Sequence, residues 1–450
     1  MDKFFGIKSS GSNVRTEIIA GITTFFTMAY IIFVNPDILS ITAGEEYWGP
    51  VFIATCLAAA IGTILMGVYA KLPFAQAPGM GLNAFFAFSV ATVYGFNGAL
   101  AAVLISGILF ILITLIGLRE AIVKAIPHNI KIAVSAGIGL FIAFVGFQNA
   151  GIVVNDDATL VAFTNFGLDQ EAFPFEPLLA LIGVVIIAIL YFLKIKGAIL
   201  LGIIAATLIG IPMGITSLPE AVTTARIADS FRDWAQLGLF RFDFNALVGD
   251  SASIFTGVLT ILTLIISFTM VDLFDTIGTL IGTAKQANML DKDGSLPRMK
   301  QALMCDAVAT TAGACMGTST VTTYIESGSG ISEGGRTGLT SVTTGILFLV
   351  ALFLAPVAGI VPGAATAPAL IVVGVLMMAG VKDIDFSDMS EAVPAFLTMV
   401  MMPFAYSIAT GLGLGLISYT VIKLLTGKFK QISILVIIIS LLFVVKFLLG

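Results

Sequence analysis

Residues 268–282 read FTMVDLFDTIGTLIG, and two carboxylates, Asp272 and Asp275, stand in this otherwise apolar run. A charge at the centre of a bilayer costs at least roughly 2.5–3.5 kcal/mol, so acids at such depth mark ligand sites or ion pathways. Glu326 is a third such group, at the end of TSTVTTYIE (318–326), and Asn83 closes APGMGLN (77–83). An ionised carboxylate only accepts hydrogen bonds, whereas an amide both donates and accepts. Asp275 and Glu326 can therefore take two N–H groups of a ligand while Asn83 covers a carbonyl. Either acid can also carry a proton at that depth. Thr323 and Phe85 complete the candidate ligand set, and Phe25, Phe26 and Phe86 are further rings able to sandwich a planar solute. Asp272 lies three residues before Asp275, on roughly the same helix face, and reads as support. Asp306 reads as a second support, bonded to irregular backbone next door.

The elements that must position these residues are membrane spans. The chain has 450 residues, is 58% hydrophobic and only 11% charged. That composition cannot cover a soluble core. Continuous apolar runs, rather than alternation with period two, predict an all-α polytopic membrane protein and argue against a β-barrel. About fourteen segments are expected, near 16–38, 51–70, 77–93, 97–118, 130–149, 177–193, 197–215, 252–283, 300–316, 318–332, 336–359, 364–380, 390–408 and 410–426. The stretch 432–449 is a fifteenth span or an interfacial helix. The first fifteen residues are too polar for a cleavable signal peptide. Cys56, Cys305 and Cys315 are expected as packed free thiols, and His128 as an interfacial residue. No metal, cofactor or nucleic-acid partner is expected; membrane lipid is.

Of 22 Lys and Arg, only Arg226, Arg232 and Arg241 fall on one side of this arrangement, and only Lys446 is unassigned. The rest gather on the side of the N-terminus, which the positive-inside rule makes cytoplasmic. The segment 155–176, with acids and no Lys or Arg, is then outside. Seven spans before the long connection at 216–250 would insert the second seven inverted. Inverted repeats build secondary transporters around a site at the midplane, formed where spans are broken. Two spans are broken in this way. Span three opens with Pro73, Pro78, Gly79 and Gly81, and span ten runs from β-branched Ser319–Ile325 into Gly328 and Gly330. Neither start can be a regular helix. Glu333 and Arg336, at the end of span ten, read as a local ion pair or an interface anchor.

The sequence has no phosphate-binding loop, no ladder of arginines and no metalloprotease motif. An ion gradient must therefore supply the energy, and titratable groups at the midplane suit protons. A passive channel, an anion carrier of the same fold and an intramembrane hydrolase are the rival readings.

The stretches TTFFTMAYIIFVNP (23–36), APGMGLNAFFAF (77–88), LFDTIGTLIG (273–282) and TSTVTTYIESGSGISEGGRTGLTS (318–341) resemble those of the nucleobase–cation symporter superfamily of uracil and xanthine permeases. Within it they are most similar to AzgA-type adenine–guanine–hypoxanthine permeases, over nearly the whole chain; 432–449 lies beyond the family's fourteen spans. The resemblance implies two intertwined seven-span repeats. Residues 1–118 (spans 1–4) and 251–360 (spans 8–11) would form a core domain. Residues 119–250 (spans 5–7 and the outer connection) and 361–426 (spans 12–14) would form a gate, leaving 427–450 as a C-terminal segment. It also implies a purine substrate held by Asp275 and Glu326 with Asn83, import by proton symport, elevator-like movement of the core, and dimerisation through the gate in the cell membrane.

The topology is checked by labelling. Asp157→Cys should react with an impermeant thiol reagent from outside, and Lys292→Cys only after permeabilisation, with the native cysteines replaced if reactive. Labelling of both from the same side would sink the inverted repeat.

Overall fold

A computed structural model of the chain describes residues 2–117, 126–167, 173–217, 224–248, 254–286, 289–291 and 296–449. Arg119, Lys124, Asp169, Glu171 and Lys292, used in the charge argument above, lie outside these residues. The fold is helical, and the fourteen expected segments are present as helices or as a strand followed by a short helix.

The first half begins with α1 (Val14–Met28) and α2 (Ile31–Ala43), one span broken at Ala29–Tyr30, then α3 (Trp48–Leu65). Span three is β1 (Gln76–Pro78) followed by α4 (Met80–Ala84) and a π-helical turn to Ala91. Span four is α5 (Thr92–Leu115), kinked at Gly95, where φ is +70°. Then come α6 (His128–Asn149), the hairpin β2 (Val153–Asp156) and β3 (Leu160–Phe163), α7 (Phe175–Phe192), α8 (Ala198–Gly210) and the surface helix α9 (Thr224–Leu237). The second half repeats the order: α10 (Ile254–Gln286), α11 (Met299–Met316), β4 (Val321–Thr323) with α12 (Ser327–Ser332), and α13 (Gly338–Ala351). It closes with α14 (Gly363–Met377), α15 (Met389–Phe404), α16 (Ile408–Leu425) and α17 (Ile434–Leu449).

Two packing groups emerge. In one, α13 packs on α1 and α3, and α11 on α3 and α5. In the other, α6 packs on α14 and α15, α7 on α8 and α14, and α15 on α16. Backbones approach closely where glycines permit: a Cβ on Gly338 would fall on the carbonyl of Gly67, and one on Gly67 would strike Gly338 in return. The second group is tied at its lysine-rich end by Lys423, 1% exposed, whose ammonium meets Glu391 at 2.7 Å and donates to Gln431 at 2.8 Å. Asn129 on α6 donates to the same Glu391 carboxylate at 3.2 Å. Beside it, the Lys428 ammonium holds the Asp388 carboxyl well below the usual carboxylate range, with help from Ser390. Helix α17 lies along α16 and also touches α10; Ser440 donates to the carbonyl of Leu416 at 3.0 Å. Its 16 residues reach about 24 Å, short of the ~30 Å hydrocarbon core.

Gly338→Ala should lower the thermal midpoint in detergent, by an overpacking cost of about 1–3 kcal/mol. Gly359→Ala, whose Cβ meets nothing within 4 Å, is the control. Equal midpoints for the two variants would contradict the close crossing.

Candidate functional site

The two broken spans meet. Strands β1 and β4 pair antiparallel with Gln76 opposite Thr323, Ala77 opposite Thr322 and Pro78 opposite Val321. Pro78 has no N–H and Gly79 stays extended (φ −76°, ψ 130°), so α4 can start only at Met80. β-Branched Val321, Thr322 and Thr323 favour the opposite strand. The ladder is extended by Gly79 N–H to Thr320 O and by Tyr324 N–H to Ala75 O, each at 3.0 Å. Hydroxyls satisfy what the ladder leaves. Thr63 both receives the Gln76 N–H and donates to the Gln76 carbonyl, at 2.9 Å each, and Thr310 donates to Val321 O at 3.0 Å. Ser327 receives the Ala75 N–H, and Ser341 donates to the carbonyls of Leu72 and Phe74.

A cavity of about 780 Å³ opens beside this crossing, walled by β4, the start of α4, and helices α6, α10 and α14. Asp275 and Glu326 both line it, each half-buried. Asp275 Oδ2 accepts from the Thr322 hydroxyl at 3.2 Å, and Glu326 Oε1 accepts from the Tyr30 hydroxyl at 2.6 Å. Thr323 also lines the cavity; its hydroxyl accepts from the Gln76 amide at 3.3 Å. Behind it, Asp306 accepts from the Thr276 hydroxyl at 2.7 Å, and Thr276 in turn receives the Thr323 N–H at 3.4 Å. Asp306 thus supports the backbone of β4 through one intervening threonine. Asp272 is fully buried and is not part of the cavity wall.

Asn83 and Phe85 are placed behind the wall instead. Asn83 is fully buried, accepts from the Ser319 hydroxyl and donates to Pro78 O at 3.4 Å, so its amide holds the crossing together. Phe85 packs edge-on against Phe268, with ring centroids 4.6 Å apart. Phe25 packs on Phe26 and Phe348, and Phe86 on Phe96. The rings that do line the cavity are Tyr30, Tyr324 and the exposed His128. Both tyrosines lie inside the quoted motifs, and their being tyrosine where the chain has 35 phenylalanines and only 8 tyrosines was the available signal.

Two other acids inside the fold, one buried and one half-buried, do not stand out in the sequence. Glu17 on α1 is fully buried and accepts from the backbone N–H of Arg336 (3.0 Å) and Thr337 (3.2 Å) and from the Thr340 hydroxyl (2.5 Å), fastening α1 to the start of α13. Asp37 on α2 accepts from Trp48 Nε1 and from the Thr366 hydroxyl on α14, both at 2.5 Å, and so bridges the two packing groups. The expected local pair of Glu333 and Arg336 is not formed. Glu333 pairs with Lys196 of the α7–α8 turn, while the Arg336 guanidinium donates to the carbonyls of Ile331 (2.6 Å) and Gly335 (2.7 Å). The chain turns at Gly334–Gly335 and points that guanidinium back at α12's last turn.

This polytopic helical bundle, with two half-helices meeting at a strand crossing, is a membrane transporter, as the permease family of its relatives shows. The chain belongs to the Permease family, whose model matches residues 15–414. An adenine permease of Escherichia coli, AdeP, is 43% identical over 458 residues, covering 99% of this chain and 95% of the relative. A guanine/hypoxanthine permease of Bacillus subtilis, PbuG, is 41% identical over 444 residues, covering 96% of each. Among solved structures, the transmembrane domain of a cyanobacterial bicarbonate transporter, BicA, shares the fold with TM-score 0.64 at 15% identity, over 88% of this chain and 97% of that one.

A Cβ on Gly79 would stand 2.6 Å from Thr322 Oγ1, the donor to Asp275. Gly79→Ala should therefore leave the protein folded but cut substrate uptake at least tenfold, measured in vesicles matched for protein content. Uptake at the parental rate would show that this contact does not set the position of Asp275.

Proposed function

We propose that the protein imports purine nucleobases across the cell membrane by proton symport. The reading rests on the relatives named as adenine and guanine/hypoxanthine permeases, and one observation carries it to the site: two carboxylates, Asp275 and Glu326, face one cavity at the broken-span crossing. Purines offer N–H donors along the ring edge, and carboxylates are their natural acceptors. An anion carrier would need a cation at that end of the cavity, and the walls there supply acids and hydroxyls.

Glu326 grips the base. Its Tyr30 partner holds one oxygen, leaving the other for a substrate N–H. Thr323 and the two cavity tyrosines line the remaining wall. Asn83 acts from behind, by fixing Ser319 and the end of β1. Asp275 sits on the continuous helix α10 and serves as proton carrier as well as ligand. With the N-terminus cytoplasmic, the cavity mouth at His128, Lys131, Lys285 and Asp383 faces inward, and the Asp37–Thr366 bond closes the outer side. The packing of α1–α5 with α10–α13, and of α6–α8 with α14–α16, supports a core that carries the site past a gate, which dimerisation would hold still.

Labelled hypoxanthine uptake, with guanine and adenine as competitors, tests the substrate; a protonophore should collapse accumulation. Asp275→Asn keeps shape and an acceptor but cannot titrate, so it should lose proton-driven accumulation while retaining counterflow. Glu326→Gln keeps the Tyr30 bond and should weaken binding by about 1.5–3 kcal/mol, read by calorimetry. Full accumulation by Asp275→Asn would remove the proton from that residue, and uptake that only equilibrates would make the protein a facilitator.

A further inference from the structure

The cavity is chemically two-ended. Asp275 and Glu326 stand at the crossing, while the opposite end carries His128 and Lys131 on the first turn of α6 and Lys285 on the last turn of α10. Among the described residues, one acid, Asp383, shares that end. At about 780 Å³ the space falls within the roughly 300–1,000 Å³ that encloses drug-sized ligands, far more than a bare bicyclic base fills.

The wall between the two ends is smooth. Asp275, Gly278, Gly282 and Lys285 follow one another along α10 at helical spacing, and all four line the cavity. A Cβ on Gly278 or Gly282 would meet nothing within 4 Å, so no packing contact explains either glycine. Each weakens a helix relative to alanine. What they leave is open wall between a carboxylate and an ammonium. Ten residues separate Asp275 from Lys285, about 15 Å along the axis. Helix side chains lean toward the N-terminus, so the Lys285 stem leans back along this wall toward Asp275.

We infer that the mouth is a subsite for phosphate, and that the whole cavity accepts a purine nucleoside monophosphate, base inward and phosphate between Lys131 and Lys285. The base end of this inference rests on the purine reading above. The ribose lies along the bare wall at Gly278 and Gly282. Among the described residues that line this end, the ammoniums of Lys131 and Lys285 outnumber the carboxylate of Asp383, which favours a phosphate dianion there, with His128 as a further hydrogen-bond donor. A ligand anchored at both ends holds the cavity open to its own side and stops the carrier from turning over. The nucleotide made from an imported base would thus restrain further import from within.

The test uses the purified full-length protein and calorimetry with hypoxanthine, inosine, inosine monophosphate and inorganic phosphate. The monophosphate should bind at least tenfold more tightly than the nucleoside, displace labelled hypoxanthine, and lose that advantage at high salt. In Lys131→Gln/Lys285→Gln the monophosphate should fall to the nucleoside's affinity, with hypoxanthine affinity unchanged. Gly282→Leu should block the monophosphate and spare hypoxanthine by filling the track alone. Hypoxanthine binding with no gain from the phosphate, or a gain that survives the double substitution, overturns the inference. Phosphate-dependent binding without hypoxanthine binding would instead overturn the purine reading and leave the mouth standing, as would inorganic phosphate binding alone if it vanishes in the double variant.

Discussion

A backbone that leaves the helix inside a membrane must find partners for every N–H and C=O, because lipid offers none. The β1–β4 crossing meets that demand with a ladder of only three residues a side, so most of the remaining partners are side-chain hydroxyls. Thr63, Thr310, Ser327 and Ser341 each bond backbone of the two broken segments. Asn35 adds a further tie, donating to Thr55 at 2.7 Å and to Thr318 at 2.8 Å. These bonds come from α2, α3, α11, α12 and α13, so five elements are committed to holding two short strands in register.

The site inherits its geometry from that commitment. Thr322 is at once a ladder residue, the neighbour of Gly79 and the donor to Asp275. Thr323 is tied to Gln76 on one side and, through Thr276, to Asp306 on the other. Glu326 stands where β4 gives way to α12, and the first N–H groups of that helix are taken up by the carbonyls of Tyr324, Ile325 and Glu326. The acid side chain, rather than the helix end, is what the cavity receives from span ten. Members of a buried polar network strengthen one another in low dielectric, although the side-chain oxygens of Asn35 and Gln76 accept no bond from the described residues.

Much of this was legible in the sequence. Prolines and glycines at 73–81 and β-branched residues at 319–325 mark the two breaks, because they act through local backbone preference. Asp275 and Glu326 were legible because a charge in an apolar run is anomalous wherever it points. Direction was what the sequence withheld. Asn83 and Asp275 look alike as polar residues near a break, yet one faces the cavity and the other faces Ser319. The aromatic candidates lie off the cavity wall for the same reason, since rings abundant along every span are mostly packing. Glu333 reached past Arg336 to Lys196 because a tertiary partner outcompeted the neighbour three residues away. Glu17 and Asp37 were hidden by position, close enough to span ends to pass for interfacial groups.

The bond between Asp37 and Thr366 is polar, and it joins helices from different packing groups. Water can replace either partner, so such a contact contributes only about 0.5–1.5 kcal/mol net, or up to roughly 3 kcal/mol with the charge. A seam of leucines would hold far more tightly and would reopen only at the cost of rehydrating apolar surface. In the proposed alternating cycle, the carboxylate–hydroxyl contact would be the part of this seam that opens at least cost. A ligand that bound the two forms of such a cycle unequally would then decide which one prevails.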